Sequence, residues 1–381
     1  MSSTNNKRAS VSFAAIDQYV EKNIVSPAER RSANKDFIEW GDGNRYPDYL
    51  LELYNSVSTL RSIINGNVDY IAGDGVAIEQ LRDGLTANVM NKRGDLIAEQ
   101  IKDLAKDYEI YGGFALQVIR GRDGKPSEVY YIDMRFLRMN KDCDVFYYCE
   151  DWSKGGKKKV IMYPKFLPMV EAEWNLLNDE QRNMHASSVV FVKNIRTQTY
   201  PAPLYAASVK ACEIERCVDD YHLNAINNGF VASALINFNN GKPEDKIMEE
   251  IEDNFNDKFS GHANAGRICF SWNKDKEHAT TIDSLSVEDF GEKYQSLAKH
   301  SRQQIFTAFR ANPNLFGIPT ESLGFSSEEY DSAFRLYNRT QIRPVQRMIA
   351  DTYEKIYGRK GVLTITPFSI DEATATDTIV K

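Results

Sequence analysis

The chain has 381 residues, 42% of them hydrophobic and 11% aromatic, which is enough to bury one large core or two to three smaller ones. A net charge of −7 and a pI near 5.5 exclude a conventional basic nucleic-acid binder. The five cysteines (Cys143, Cys149, Cys212, Cys217, Cys269) form no CxxC pair, and their odd number argues for packed, reduced thiols rather than a disulfide framework.

No apolar run is long enough to span a bilayer, and residues 1–10 are polar, without the apolar stretch of a signal peptide. The expectation is a soluble chain made in a cytoplasm. Residues 1–35 read as a flexible arm with one short helix around Phe13–Glu21. Trp40-Gly41-Asp42-Gly43-Asn44-Arg45-Tyr46-Pro47 is a dense turn signal. From Asp48 to Ile71, Leu50, Leu53, Leu60, Ile63, Ile64, Val68 and Ile71 keep helical spacing, and Gly73-Asp74-Gly75 ends that helix. A second helix is expected over Asp95–Tyr111.

Hairpin signals come next. Phe114–Arg120 and Glu128–Asp133 flank Gly121-Arg122-Asp123-Gly124-Lys125-Pro126; Val145–Glu150 and Lys159–Tyr163 flank Lys154-Gly155-Gly156-Lys157. Ser188–Ile195 reads as a further strand. The first part is therefore α+β and ends at the stiff junction Pro201–Pro203. Beyond it, Ala207, Ala211, Ile214, Val218, Tyr221 and Ala225 step by four and three along a long helix, and Val287, Phe290, Tyr294 and Leu297 begin a second seam that runs on to Ile305 and Ala308. Lys210, Glu213, Arg216, Asp219 and Asp220 flank the first seam, and one wet side is expected for it. Between the two helices lies a small α/β insert: a strand at Ala234–Phe238, a helix opened by Pro243 and running to Phe259, and strands at Arg267–Trp272 and Ala279–Leu285. Ser326 with Glu329 makes a capping box for a last helix to Tyr357, kinked at Pro344 and closed by Gly358. A strand is expected at Leu363–Ile365, and residues 371–381 read as a disordered polar tail.

Several pieces in this order resemble the portal proteins of long-tailed, siphovirus-type bacteriophages. They are Pro203-Leu204-Tyr205-Ala206-Ala207, Asn228-Gly229-Phe230-Val231, Gly261 with Asn264-Ala265-Gly266-Arg267, and Leu285-Ser286-Val287-Glu288-Asp289-Phe290. Pro313-Asn314-Leu315-Phe316-Gly317 and Phe325-Ser326-Ser327-Glu328-Glu329 complete the set. Tyr46-Pro47-Asp48-Tyr49-Leu50, Ile63-Ile64-Asn65 and Tyr70-Ile71-Ala72-Gly73 add to it upstream. The resemblance implies an α+β portal fold with a wing at 36–203, stem helices at 204–229 and 286–310, and a clip at 230–285. A tunnel loop at 311–325 and a kinked helix with a short strand at 326–370 would complete it. Asn312-Pro313-Asn314 stands where relatives often carry a Val-Pro-Pro-like step, and the short C-terminal part implies a small or absent crown.

The function it implies is a non-enzymatic, homo-oligomeric ring, of twelve subunits in the virion, through which double-stranded DNA passes without sequence specificity. Implied partners are the terminase large subunit, head–tail connector proteins and a major capsid or scaffold protein, at a capsid vertex assembled in a bacterial host, with no membrane and no cofactor. A mildly acidic wall suits a duplex that must slide. Two other readings stay open: a metal-dependent nucleic-acid enzyme, and another phage connector ring protein.

Three residue sets are the candidates. Asn314, Leu315, Phe316, Ile318, Thr320 and Glu321 belong to a segment that Pro313 and Pro319 keep out of helix and that is too apolar for an ordinary solvent loop. Such a segment either packs or projects into a lumen. Glu249, Glu250, Glu252 and Asp253 give the clip helix an acidic face for motor docking; lying consecutively on one helix, they point around it rather than converge on a metal. Arg335, Arg339, Arg343 and Arg347 recur every four residues, either as a solvated ridge or as a subunit border. Lys157-Lys158-Lys159 reads as a solvated turn. The five histidines lack ligand spacing, Gly73-Asp74-Gly75 lacks the Lys-Ser/Thr of a P-loop, and no GxSxG elbow occurs, so neither a metal site nor a catalytic residue is expected.

Overall fold

The computed structural model describes residues 24–31, 35–79, 88–152, 160–227, 234–238, 268–272, 287–318 and 327–369. These fall into two compact units: 24–212 with 303–369, and described parts of 213–302.

In the larger unit α1 (Tyr46–Ser56) and α2 (Ser58–Ala72) replace the single helix expected from the spacing. Val57 between them is extended (φ −102°, ψ 109°) yet fully buried. Asn55, Ser56 and Ser58 are poor interior helix formers, and the Ser56 hydroxyl turns back to the Glu52 carbonyl at 2.8 Å. Leu53 and Leu60 both stay in the core across the break, so the apolar spacing does not register it. Gly73, at φ +63°, ends α2; a Cβ there would fall 2.0 Å from the Thr366 carbonyl oxygen, so only glycine fits. That approach holds β1 (Gly75–Ile78) against β10 (Leu363–Thr366) in an antiparallel pair that joins the two ends of the unit.

The helix α3 (Ile97–Tyr111) packs on α2 and buries three polar side chains, Gln100, Asp107 and Glu109. Gly112, left-handed at φ 85°, closes it and leads into β2 (Gly113–Arg120). The first expected hairpin is present: β2 pairs with β3 (Pro126–Ile132) on one edge and with β7 (Ser187–Lys193) on the other. A second sheet has the order β4 (Leu137–Met139), β5 (Val145–Tyr148), β6 (Ile161–Pro164). The strands β1 and β4 and the short helices α4 (Glu171–Leu176) and α5 (Asp179–His185) carry too little periodic pattern to be read from sequence. Trp40 stacks on Tyr200 at 4.6 Å, and the fully buried Arg138 guanidinium bonds the Asn44 carbonyl at 3.0 Å without a carboxylate partner among the described residues.

Both long helices are present: α6 (Val209–Asn227), preceded by a 3-10 turn at Ala206–Ser208, and α7 (Val287–Phe309). In the first seam Ala211 and Val218 are buried and Ile214 is half-buried, whereas Ala207 and Tyr221 are exposed. Glu213, expected on a wet face, is buried instead and pairs with Arg216 at 2.8 Å. In the smaller unit Tyr221 stacks on Tyr294 at 4.3 Å. There β8 (Ala234–Phe238) pairs in parallel with β9 (Ile268–Trp272), which requires a crossover connection. The expected helix at 243–259 and strand at 279–285 lie outside the described residues, as do the N-terminal helix around 13–21 and the tail from 371.

The last long helix is α8 (Ser327–Tyr337), a π turn (Asn338–Ile342) and α9 (Arg343–Tyr357), closed by left-handed Gly358. The expected disturbance at Pro344 thus sits just upstream. The proline ring presses on the carbonyl four residues back, that of Thr340, and the π turn places that carbonyl elsewhere.

Candidate functional site

The segment after α7 is built to be held. Arg310 is left-handed at φ 52° and its amide reaches back to Thr307, while the Ala311 amide donates to Phe306. Asn312 caps a 3-10 turn, Pro313–Phe316, by accepting from the Asn314 amide at 3.1 Å, and Gly317 closes it at φ 72°. The Tyr70 hydroxyl donates to the Leu315 carbonyl at 2.8 Å. Leu315 is buried, and the Phe316 ring lies edge-on to Tyr70 and Tyr337 at 6.0 and 5.8 Å. A Cβ on Gly66 would meet that ring at 2.7 Å, so α2 makes room for it.

Of the channel candidates, Leu315 and Phe316 thus pack against the chain's own core. Their large apolar surface is worth more against Tyr70 and Tyr337 than in water. Asn314 and Ile318 are half-buried beside them, and Thr320 and Glu321 lie outside the described residues.

The anchor rests on a buried polar chain. The Tyr337 hydroxyl donates to Asn67 Oδ1 at 2.8 Å, and Asn67 Nδ2 donates to Glu109 Oε2 at 2.8 Å. Burial pushes the Glu109 carboxyl up to about 7, against the smaller opposing effect of the Asn67 bond. Further along α3, Gln100 accepts from the Tyr353 hydroxyl at 2.6 Å and donates to the Val129 carbonyl at 2.9 Å. Asp107 accepts from the Tyr131 hydroxyl at 2.9 Å, and burial raises its carboxyl well above the usual range. These links tie α8 and α9 to α2, α3 and the first sheet. The sequence does not mark them, because Glu109 and Asp107 sit in a helix that also shows ordinary exposed acids.

Arg335, Arg339, Arg343 and Arg347 are all exposed, and none makes an ion pair or hydrogen bond among the described residues. An α-helix over-rotates a four-residue repeat by about 40° per step. The wider π turn between Arg339 and Arg343 under-rotates it, so the ridge drifts less than in a continuous α-helix. Glu249, Glu250, Glu252 and Asp253 lie outside the described residues. Among the described residues no group of three or more His, Cys, Asp or Glu is placed to hold a metal, and no helix is long and apolar enough to cross a membrane.

An α+β unit, two long helices bracketing a small insert with a parallel strand pair, and a kinked terminal helix define a structural class rather than a catalytic one: the portal fold. The family model for "Phage portal protein" matches residues 92–378, and the chain belongs to that family, the portal proteins of the capsid vertex. Three solved structures share the fold. The virion of a native gene transfer agent particle matches at TM-score 0.53 and 14% identity, covering 91% of this chain and 87% of that one. The neck of the native particle with C12 symmetry gives 0.51 and 15% over 91% and 87%. The neck of the empty particle with C6 symmetry gives 0.53 and 14% over 86% and 85%. No curated protein matches the chain.

Proposed function

We propose that this chain is the subunit of a closed ring of twelve at a capsid vertex of a virion, through which double-stranded DNA is packaged and ejected. The observation that carries the reading is the family match over residues 92–378, joined to the paired helices α6 and α7 around the insert with strands β8 and β9. The C12 symmetry of the gene transfer agent neck supports the number twelve. In this reading residues 36–203 are the wing, 204–229 and 286–310 the stem, 230–285 the clip and 311–325 the tunnel loop. Glu249, Glu250, Glu252 and Asp253 offer the terminase large subunit an acidic docking face, which head–tail connector proteins take over later. A major capsid or scaffold protein seats the ring, and assembly takes place in the cytoplasm of a bacterial host.

The chain acts without cofactor or metal and has no reaction of its own. The acidic balance of the molecule suits a wall along which a duplex slides, and the exposed arginines suit a subunit border, where a charge-assisted pair gains strength on losing water. Native mass spectrometry and negative-stain images of the purified chain test the reading. Closed rings are expected; monomer and dimer alone over a wide concentration range sink it. Magnesium-dependent cleavage of DNA by pure protein would favour the enzymatic alternative.

A further inference from the structure

A groove of about 240 Å³ runs between α9 and β10, lined by Arg343, Gln346, Arg347, Ala350, Leu363 and Ile365. Its floor is aliphatic and its rim holds two exposed guanidiniums, neither with an ion pair or hydrogen bond among the described residues. Among the described residues no carboxylate lines it. The Gln346 side-chain amide is already engaged, donating to the Ile71 carbonyl at 3.0 Å and the Tyr70 carbonyl at 3.4 Å. The groove is thus formed, cationic and apolar at once.

The last described residues lie beside it. After β10 the Phe368 ring packs edge-on to Tyr70 at 5.1 Å, and the Ser369 amide donates to Asp74 Oδ2 at 2.8 Å. Tyr70 therefore touches both a groove residue, through its carbonyl, and the exit point, through its ring. The chain then continues as Ile370-Asp371-Glu372-Ala373-Thr374-Ala375-Thr376-Asp377-Thr378-Ile379-Val380-Lys381. This stretch has three carboxylates against one lysine, with aliphatic residues near both ends. Extended, it reaches about 40 Å, while the helix wall from Arg343 to Ala350 is only about 10 Å long.

We propose that residues 370–381 dock in cis into the groove between α9 and β10, their carboxylates on Arg343 and Arg347 and an aliphatic side chain on the floor formed by Leu363 and Ile365. The chemistry matches on both counts, charge and apolar floor. A passing phosphate backbone would use the arginines and leave the aliphatic floor without a partner. Tethering gives the segment an effective concentration on the order of millimolar, so even weak contacts keep it in place. Docking occupies two of the four ridge arginines and leaves Arg335 and Arg339 for a neighbouring subunit. The inference does not depend on the ring reading.

Hydrogen exchange of residues 371–381 in the full chain tests it. In wild type these amides are expected to exchange about tenfold more slowly than in an unstructured peptide. The protection should vanish in R343Q/R347Q, in D371N/E372Q/D377N, and in wild type at about 0.5 M salt, where exposed pairs are screened. It should be the same in dilute monomer and in assembled rings. Unprotected wild-type amides, or protection indifferent to both sets of substitutions, overturn the proposal. Protection confined to rings overturns it too, and gives the groove to the tail of a neighbouring copy. Should R343Q/R347Q melt early, the tail variant, which leaves the folded residues untouched, decides alone.

Discussion

At the scale of single residues, the chain's most consequential choice is a buried acid with no cation paired to it among the described residues. Glu109 is closed off between α2, α3 and α8, and among the described residues only Asn67 offers its carboxylate a side-chain hydrogen bond. Its carboxyl, near 4.5 in solution, is pushed up to about 7 by burial. The folded chain therefore holds the proton more tightly than the unfolded one, so stability falls as pH rises from about 4.5 to about 7 and levels off above. The full swing is about 3 kcal/mol. Glu109→Gln removes the titration while keeping an acceptor for Asn67. Relative to wild type, the variant is expected to gain about 2–3 kcal/mol at pH 8 that is missing at pH 5. Urea melts at the two pH values check it; an offset that does not change with pH would show that the carboxyl is hydrated. Neither Glu109 nor Gly66 could be picked out from sequence. Each is decided by what arrives from 200 residues or more downstream, Tyr337 in one case and Phe316 in the other.

At the scale of elements, local chemistry was legible wherever it was decisive. The α3 helix, the β2–β3 hairpin and the left-handed closure at Gly358 follow from apolar period and glycine placement. The break at Val57 was hidden because Leu53 and Leu60 keep one seam across it. The β1–β10 pair was hidden because nothing local to Leu363–Thr366 names its partner. The terminal helix is the instructive case. Pro344 announces a disturbance, but the turn that absorbs it is Asn338–Ile342, and that π turn keeps the arginine stripe near one line. An aligned stripe of exposed arginines suits a subunit border. Arg339→Ala, which lies outside the α9–β10 groove, is expected to weaken rings by about 1–3 kcal/mol for each charge-assisted hydrogen bond lost, with the monomer's own melting unchanged. Ring dissociation followed by mass photometry reads this; rings as durable as wild type would return Arg339 to solvent.

At the scale of the whole molecule, the proposed ring poses the question of how a subunit would keep a loop in place while DNA moved past. The fold pins the described part of the segment after α7. Residues 311–318 are fixed: the Asn312 cap, the Tyr70–Leu315 hydrogen bond and the Phe316 ring in the space left by Gly66 pin them to the larger unit. In the proposed channel, contact with DNA would then fall to residues 319–326, which carry Thr320, Glu321 and Leu323. The two parts should fail differently. Deleting Thr320–Ser322 leaves the anchor intact, so rings are expected to form and melt normally while packaging or retention of a genome suffers. Phe316→Ala instead empties an aromatic site between Tyr70 and Tyr337 and should cost about 3–5 kcal/mol of subunit stability, lowering the yield of rings before any DNA is involved. In vitro packaging and thermal melts of both variants separate the cases. Normal packaging and retention by the deletion variant would refute a tunnel role for residues 320–322. Failure of that variant to form rings would show that residues 320–322 serve packing against a neighbour, as the anchor packs against its own chain.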